Sequence, residues 1–258
     1  MTIGSAALAA GAADPLTRVI AAVGPERLGG FGLSAEGLHR DCPQDALCAA
    51  RSIVEGDARA RLARRVPPDS DRIRWARTLP SVAEVRLLPD GRGLVHLTRF
   101  GRKAGRELEA ALDGMAEGTW DGRLLLDLRG HRGGDLGRML RLAGQFTGPA
   151  SEALRLQAAE TQSLDIPAPK RRLPYKDLIV LVDGKTASSA EILAALLRRY
   201  AGARVLGTRT AGKDYLHRIV PIEQGWSLYL PAETVTVPGE TLAGGLLPDG
   251  PLPAGVAP

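Results

Sequence analysis

The feature that most constrains this fold is an alternation of short apolar runs with helical periodicity between residues 123 and 207. RLLLDLRG (123–130) and DLIVLVDG (177–184) are apolar runs that end in glycine, and ARVLG (203–207) is a third. Residues 136–143 and the segment ASSAEILAALLRRYAG instead place apolar residues at helical spacing. Buried strands separated by helices predict an α/β fold with a parallel sheet covered on both faces.

The segments that flank this alternation have other patterns. Residues 14–66 are predicted to be helical, with a first helix near Leu16–Val23 and a second stretch from Pro43 to Val66. VPPDSD (66–71) is typical of a linker. We therefore predict a leader and small helical region over 1–80, followed by the main domain over 81–258.

The main domain is predicted to open and close with further strands. VAEVRLLPDGRGLVHLTRF alternates apolar and polar residues around Asp90-Gly91, which indicates a hairpin, and a helix is predicted at 103–117. After Lys213, IVPI and WSLYL predict strands at 219–222 and 226–230.

Charge and hydropathy exclude two classes of partner. The net charge is +5, and arginines crowd residues 59–77, but Asp57, Asp69 and Asp71 lie among them. This mixture is typical of a solvated helix face more than of a nucleic-acid surface. No apolar run reaches the roughly 18 residues that a membrane span needs. We expect neither a nucleic-acid partner nor a membrane span.

The amino terminus and the cysteines bear on the compartment. MTIGSAALAAGAADP ends like a signal-peptide cleavage region but lacks the basic residues that should precede it. It is interpreted either as the remnant of a trimmed export signal or as a disordered leader. Cys42 and Cys48 could form a local disulfide in an exported protein or remain two buried thiols in a cytoplasmic one. We expect export to the periplasm or cell envelope, with the cytoplasm as the alternative.

GTRTAGKD (207–214) nearly matches a phosphate-binding loop, but its context argues against that interpretation. Such a loop needs a hydroxyl after its lysine and a helix that follows directly. Asp214 stands at the hydroxyl position, and the β-like DYLHRIVPI follows. Two interpretations of Lys213 remain: a solvated lysine in a glycine turn, or a general base.

A general base needs a nucleophile, and TASSAE supplies one between a buried strand and a helix. In a right-handed strand–helix–strand unit, the loops containing Ser188 and Lys213 would meet at the carboxyl ends of neighbouring strands. A desolvated lysine can accept a serine proton. Ser188 and Glu191 also fit a capping box, in which the hydroxyl only caps the helix, and Ser189 competes as the nucleophile.

The ordered segments LLLDLRGHRGGDLGRMLRLAGQF, LIVLVDGKTASSAEILAALLRRYAGARVLGTRTAGK and ETVTVPGETLAGGLLPDGPL resemble the carboxyl-terminal processing (tail-specific) serine proteases. The resemblance covers about residues 82 to 251. It implies an α/β, crotonase-like tail-specific-protease core with a parallel sheet flanked by helices, preceded here by a small N-terminal helical region. Many such proteases also insert a PDZ domain, for which the residues before Asp90 leave too little room.

The resemblance also implies roles for individual residues. Ser188, between Ala187 and Glu191, corresponds to the nucleophile, and Lys213 in TAGK corresponds to the general base. Backbone N–H groups of Gly133 or Gly134, with that of Ser189, would form the oxyanion hole.

Two positions depart from the family pattern. His217 stands where relatives often have a glutamine that orients the lysine, and Asp214 replaces the usual glycine. Strand alternation would put His217 on the same face as Lys213, where it could hydrogen-bond the amine, and would point Asp214 away.

The expected function is therefore that of a serine endopeptidase with a Ser-Lys dyad that cleaves unstructured or C-terminal segments of proteins, without a metal or other cofactor. The main alternative is a non-catalytic ligand- or peptide-binding protein on the same scaffold. A crotonase-like acyl-transfer enzyme is a further alternative, but no coenzyme A site is recognisable. Substrate would enter the cleft directly, or a delivery partner or the N-terminal helical region would bring it there. The partners expected are thus a protein or peptide substrate and either a homo-oligomer or a delivery partner.

Overall fold

The computed structural model describes residues 14–30, 32–64, 78–158 and 160–256, and within them the chain forms two compact units. The first comprises the described residues of Met1–Arg74 together with His217–Ala232, and the second those of Trp75–Leu216 and Glu233–Pro258. The sequence had assigned 217–232 to the catalytic domain, but these residues cluster with the N-terminal helices. The functional division at 80/81 stays a prediction. The predicted leader and linker lie outside the described residues.

The first unit contains four helices and a small antiparallel sheet among its described residues. The helices are α1 (Pro15–Val23), α2 (Pro25–Gly30), α3 (Ala35–Asp41) and α4 (Ala46–Gly56). The strands are β1 (Arg61–Arg64), β9 (Tyr215–Pro221) from His217 onwards, and the first part of β10 (Trp226–Thr236). Asp14, Ser34 and Asp45 accept hydrogen bonds from first-turn N–H groups and so begin α1, α3 and α4. One apolar cluster of helix and strand residues forms the core of this unit.

The predicted helix from Pro43 to Val66 is wrong in its second half. Helix α4 ends at Gly56, where the Asp57 carboxylate accepts the N–H of Arg59 at 2.9 Å and turns the chain. Residues Arg61–Arg64 then pair antiparallel with Trp226–Tyr229 of β10. This pairing joins residues far apart in the sequence, so local periodicity could not show it.

The second unit is built on a five-stranded sheet in the order β2-β3-β4-β7-β8. Its strands are β2 (Val82–Leu87), β3 (Gly93–Leu97), β4 (Arg123–Asp127), β7 (Asp177–Val182) and β8 (Arg204–Gly207). The hairpin predicted around Asp90-Gly91 is confirmed, since β2 and β3 pair antiparallel on either side of it. The remaining pairs are parallel, as the buried apolar runs predicted.

Helices α5 (Ala104–Ala116), α6 (Leu136–Thr147) and α7 (Ser189–Ala201) pack in one cluster with alternate residues of the central strands, such as Leu124 and Leu126. The intervening Leu125 faces a smaller cluster that contains Val256 and no residue of these helices. Each crossover moves the chain in the same direction along the sheet, and right-handed crossovers then put their helices on one face. Among the described residues, helices cover one face of this sheet, and the other face packs on the cluster that contains Val256.

Two elements of the second unit were not predicted. Strands β5 (Ala150–Gln157) and β6 (Thr161–Ile166) form an antiparallel pair, and β5 also pairs with Thr234–Thr236 at the end of β10. Near the C-terminus, the Asp249 carboxylate accepts the N–H of Val205 at 2.8 Å. This bond fixes the closing segment against β8.

None of the helices in the described ranges combines the length and apolar composition required to cross a membrane.

Candidate active site

Ser188 lies in a sharp turn between β7 and α7, at the N-cap of the helix. Its backbone has φ 57° and ψ −127°, a conformation that residues with a Cβ rarely adopt. The N–H of Glu191 donates to the carbonyl oxygen of Ser188 at 2.8 Å, so the backbone already supplies an acceptor at this helix end. Strained strand-to-helix turns also present the nucleophilic serine of unrelated hydrolases. The conformation is what a nucleophile position would require.

The carboxylate of Glu191 accepts hydrogen bonds from this turn and from the loop at 210–213. Glu191 has only 1% of its surface exposed. Its Oε1 accepts the Thr210 hydroxyl at 2.5 Å and the Gly212 N–H at 2.7 Å. Its Oε2 accepts the N–H of Ser188 at 2.6 Å and that of Lys213 at 2.9 Å. The structure therefore brings the backbones of residues 188 and 213 to a single carboxylate oxygen.

The side chain of Lys213 is exposed in this structure. Within the part of the chain that the structure describes, no hydrogen bond joins its amine to the Ser188 hydroxyl. The interpretation as a general base requires the amine to turn towards Ser188 and to lose water. Rotamers of exposed side chains exchange within nanoseconds, and catalytic hydrogen bonds often tighten only when substrate binds.

The glycine segment 130–134 lies directly against the Ser188 turn. Gly133 has φ +87°, and a Cβ built on it would lie 2.7 Å from the Ala187 carbonyl oxygen and 2.9 Å from Ser188 Cβ. Any other residue would overlap these atoms. Glycine at 133 therefore allows the close approach of this segment to Ser188.

The N–H groups predicted for the oxyanion hole differ in their partners. The N–H of Gly133 donates to His131 Nδ1 at 3.0 Å. The Gly134 carbonyl accepts the Ser189 hydroxyl at 2.8 Å, which holds the two residues together. No acceptor among the described residues is found for the N–H of Gly134 or of Ser189. These two N–H groups are therefore unpaired within the described part of the chain, and that of Ser189, a buried residue, lies at the positive end of α7.

His131 is a residue of this site to which the sequence analysis assigned no role. It is fully buried, and its ring centroid lies 4.3 Å from that of Phe100. Burial, helped by the charge of nearby His96, lowers the pKa of His131 to about 4. Because Nδ1 accepts the Gly133 N–H, the proton of the neutral ring is on Nε2, for which the described residues offer no partner.

Glu191 was recognised only as part of a capping box, and its bonds to Gly212 and Lys213 were missed. A signal existed, because Glu191 is the single charged residue between Lys185 and Arg198 in an otherwise apolar helix. A charge on such a helix must be buried with partners.

His217 makes contacts in the first unit, whereas the other predicted site residues belong to the second. Its Nε2 lies 3.1 Å from the Arg59 carbonyl oxygen, and its ring meets the Tyr229 ring edge-on at 6.1 Å between centroids. Its assistance to Lys213 stays a prediction.

Over the described ranges, no three or more His, Cys, Asp or Glu side chains cluster as metal ligands would.

Curated proteins of similar sequence are named as carboxy-terminal processing proteases. The chain is 28% identical over 149 residues to the carboxy-terminal processing protease CtpA of Bacillus subtilis (strain 168), a match covering 57% of this chain and 32% of the relative. It is 27% identical over 184 residues to the carboxy-terminal-processing protease of Bartonella bacilliformis, covering 69% and 42%. The chain thus spans between about a third and two fifths of the length of these curated relatives.

Solved structures share the fold at low identity. The photosystem II D1 C-terminal processing protease superposes with a TM-score of 0.55 at 21% identity, covering 77% of this chain and 49% of that one. A putative peptidase from Parabacteroides merdae superposes with a TM-score of 0.59 at 17% identity, covering 85% and 82%. The model of peptidase family S41 matches residues 91–251, more than half of the chain. The chain belongs to peptidase family S41.

Proposed function

We propose that this protein is a serine endopeptidase in which Ser188 is the nucleophile and Lys213 the general base. The observation that carries the proposal is the shared contact with Glu191, whose Oε2 accepts the N–H groups of both residues. The strained backbone of Ser188 supports it independently.

In the proposed mechanism, Lys213 in its neutral form takes the proton of the Ser188 hydroxyl as the oxygen attacks a peptide carbonyl. The N–H groups of Gly134 and Ser189 donate to the oxyanion of the tetrahedral intermediate. Gly133 can add its N–H only after it leaves His131 Nδ1. The lysine then returns the proton to the leaving amine, and water hydrolyses the acyl-enzyme.

The proposed substrate is an unstructured or C-terminal segment of a protein, because an extended chain must reach a backbone turn at the sheet edge. Cys42 and Cys48 form a disulfide. Structural disulfides persist in oxidising compartments, so we propose that the protein acts outside the cytoplasm.

The alternative of a non-catalytic binding protein is favoured by one observation, the exposure of Lys213. A general base must contact the Ser188 hydroxyl, and no hydrogen bond among the described residues joins the Lys213 amine to it. Binding of an extended peptide at the same edge would not need the proton transfer.

Digestion of casein and labelling by a fluorophosphonate separate the two functions. Ser188→Ala and Lys213→Ala should each lower the cleavage rate about a thousandfold or more, with unchanged unfolding curves. Lys185→Ala, which removes an exposed lysine from the neighbouring turn, is the matched control and should leave the rate within about twofold. Undiminished cleavage by either dyad variant would refute the assignment. A wild-type protein that neither cleaves nor labels but binds an extended peptide would support the binding function instead.

A further inference from the structure

A broad groove lies between α5, α6 and residues 167–171, all within the second unit. Its volume is about 990 Å³, the upper end of the range for ligand sites. Six cationic side chains line it, together with one carboxylate, that of Glu109; the cations are Arg102, Arg106, Arg138, Arg141, Lys170 and Arg171.

Most of this positive charge is not neutralised by the protein. Arg171 forms a bidentate pair with Asp113 at 2.6 and 2.7 Å, and Arg138 Nε lies 3.9 Å from an Asp135 oxygen. The other four lining cations are exposed and have no carboxylate within salt-bridge distance among the described residues. Like charges converging on one groove repel one another unless an anion enters.

The first turn of α5 adds to this potential. Ala104, Gly105 and Arg106 line the groove, and the N-cap Lys103 supplies no side-chain acceptor to the helix end. The positive end of the helix therefore faces the same space as the arginines.

A buried acceptor in the groove lining indicates what kind of anion fits. The NH₂ group of Gln145 donates to Glu109 Oε1 at 2.5 Å. This hydrogen bond fixes the orientation of the amide, so that Gln145 Oε1 points away from Glu109. That oxygen is buried and has no partner among the described residues. Glycine at position 105 leaves room for Gln145 Oε1, because a Cβ there would lie only 2.6 Å from that oxygen. Carboxylates of an occupant would neutralise the exposed arginines directly, and an N–H donor of the same occupant would satisfy this oxygen once the Gln145 side chain turned outward.

Nucleic acid fits less well than an acidic peptide. Single-stranded nucleic acids bind grooves in which aromatic side chains stack on bases. None of the described residues that line this groove is Phe, Tyr, Trp or His.

One end of the groove lies near the candidate active site, within the same unit. Gly101 follows Phe100, whose carbonyl oxygen accepts from Arg138 Nη1 at 3.4 Å. The Phe100 ring packs on His131 and would lie 3.6 Å from a Cβ on Gly134. The groove lining is thus linked through Phe100 to the glycine segment 130–134.

We propose that this basic groove binds an acidic stretch of the polypeptide whose scissile bond lies at Ser188. The proposal names the substrate class of the site and rests on the proposed function for its catalytic part. The groove would hold glutamate and aspartate side chains against the arginines while a peptide N–H bonds to Gln145.

Binding is measured by fluorescence anisotropy with a labelled Glu-Gly repeat peptide and its Gln-Gly counterpart. The wild-type protein should bind the acidic peptide with an affinity that falls as salt rises, and should bind the neutral one at least about tenfold more weakly. Arg106→Glu/Arg141→Glu should weaken acidic binding about tenfold or more. Arg155→Glu/Arg204→Glu makes the same charge change outside the groove and should alter it by less than about twofold.

Equal weakening in the two double variants, or tighter binding of a single-stranded oligonucleotide of equal charge, would overturn the proposal. A second measurement compares cleavage of two unstructured proteins that differ only by an acidic stretch. The groove variant should raise KM for the acidic substrate and leave kcat unchanged. If the acidic peptide binds as expected and no substrate is cleaved, the groove stands and the catalytic proposal fails.

Discussion

The buried ring of His131 binds one of the N–H groups that were predicted to form an oxyanion hole. Its neutral ring accepts the Gly133 N–H at 3.0 Å and thereby occupies one of the three predicted donors. A protonated ring would also carry a hydrogen on Nδ1. That hydrogen would face the Gly133 N–H, and the contact would become repulsive. The charge state of one buried ring is therefore coupled to the conformation of the glycine segment beside Ser188.

This coupling predicts an acid sensitivity of stability. The pKa of His131 falls from an ordinary 6.5 to about 4 on folding. Between these values the unfolded chain binds a proton that the folded protein does not, so stability rises with pH. Acidification from pH 7 to pH 4 should remove about 3 kcal/mol through this residue. Urea unfolding at several pH values measures the loss.

Two substitutions isolate the histidine from other acid effects. His131→Asn keeps an acceptor near the Nδ1 position and does not titrate, so it should lose about 3 kcal/mol less than the wild type over the same range. His131→Leu removes the acceptor and should be destabilised even at pH 7. Equal acid losses in the wild type and His131→Asn would refute the role of His131.

At the scale of elements, the sequence predicted those parts whose pattern is local. The helix expected at 103–117 is Ala104–Ala116, and the run at 177–184 is β7. The β5–β6 hairpin was missed because its connection at 158–160, Ala-Ala-Glu, contains no turn-forming dipeptide. The pairing of β5 with residues 234–236 depends on tertiary structure, which a local sequence pattern does not contain.

The contact between α7 and the loop at 208–214 is also a contact between elements, and it depends on the Glu191 carboxylate. The spacing of Ser188 and Lys213 indicated that their loops meet, but no sequence pattern showed that one carboxylate binds both. Glu191→Gln replaces an acceptor oxygen by an NH₂ that faces two donors. We expect it to cost about 2 to 3 kcal/mol and to raise hydrogen exchange over 208–216.

The matched control is Glu117→Gln, which changes an exposed glutamate at the end of α5 and should stay within about 0.5 kcal/mol of the wild type. Unchanged exchange over 208–216 in Glu191→Gln would show that the carboxylate does not hold the loop.

At the scale of the whole molecule, the chain leaves the second unit at residue 217 and returns to it at 233. The sequence could not show this, because IVPI and WSLYL have the same apolar texture as strands of the main domain. What distinguishes them is the partner of each side chain: Val220, Ile222 and Leu228 pack with α1 to α4 in the core of the first unit.

The Cys42–Cys48 disulfide lies entirely in that first unit, between the end of α3 and α4. By loop closure, a bridge across so short a segment contributes about 2 kcal/mol. Cys42→Ala/Cys48→Ala should therefore lower the protection of α1 and α4 against hydrogen exchange by about that free energy. Protection of α7, in the other unit, should not change.

Reduction of the wild-type protein with dithiothreitol provides the internal control, because it removes the bridge without changing a residue. The reduced protein and the double variant should lose protection in the same peptides of residues 14–64, and reductant should have no further effect on the variant. Exchange is followed by mass spectrometry at neutral pH. If protection of α7 fell as much as that of α4, the two units would unfold as one, and the disulfide would stabilise the whole molecule through a single cooperative transition.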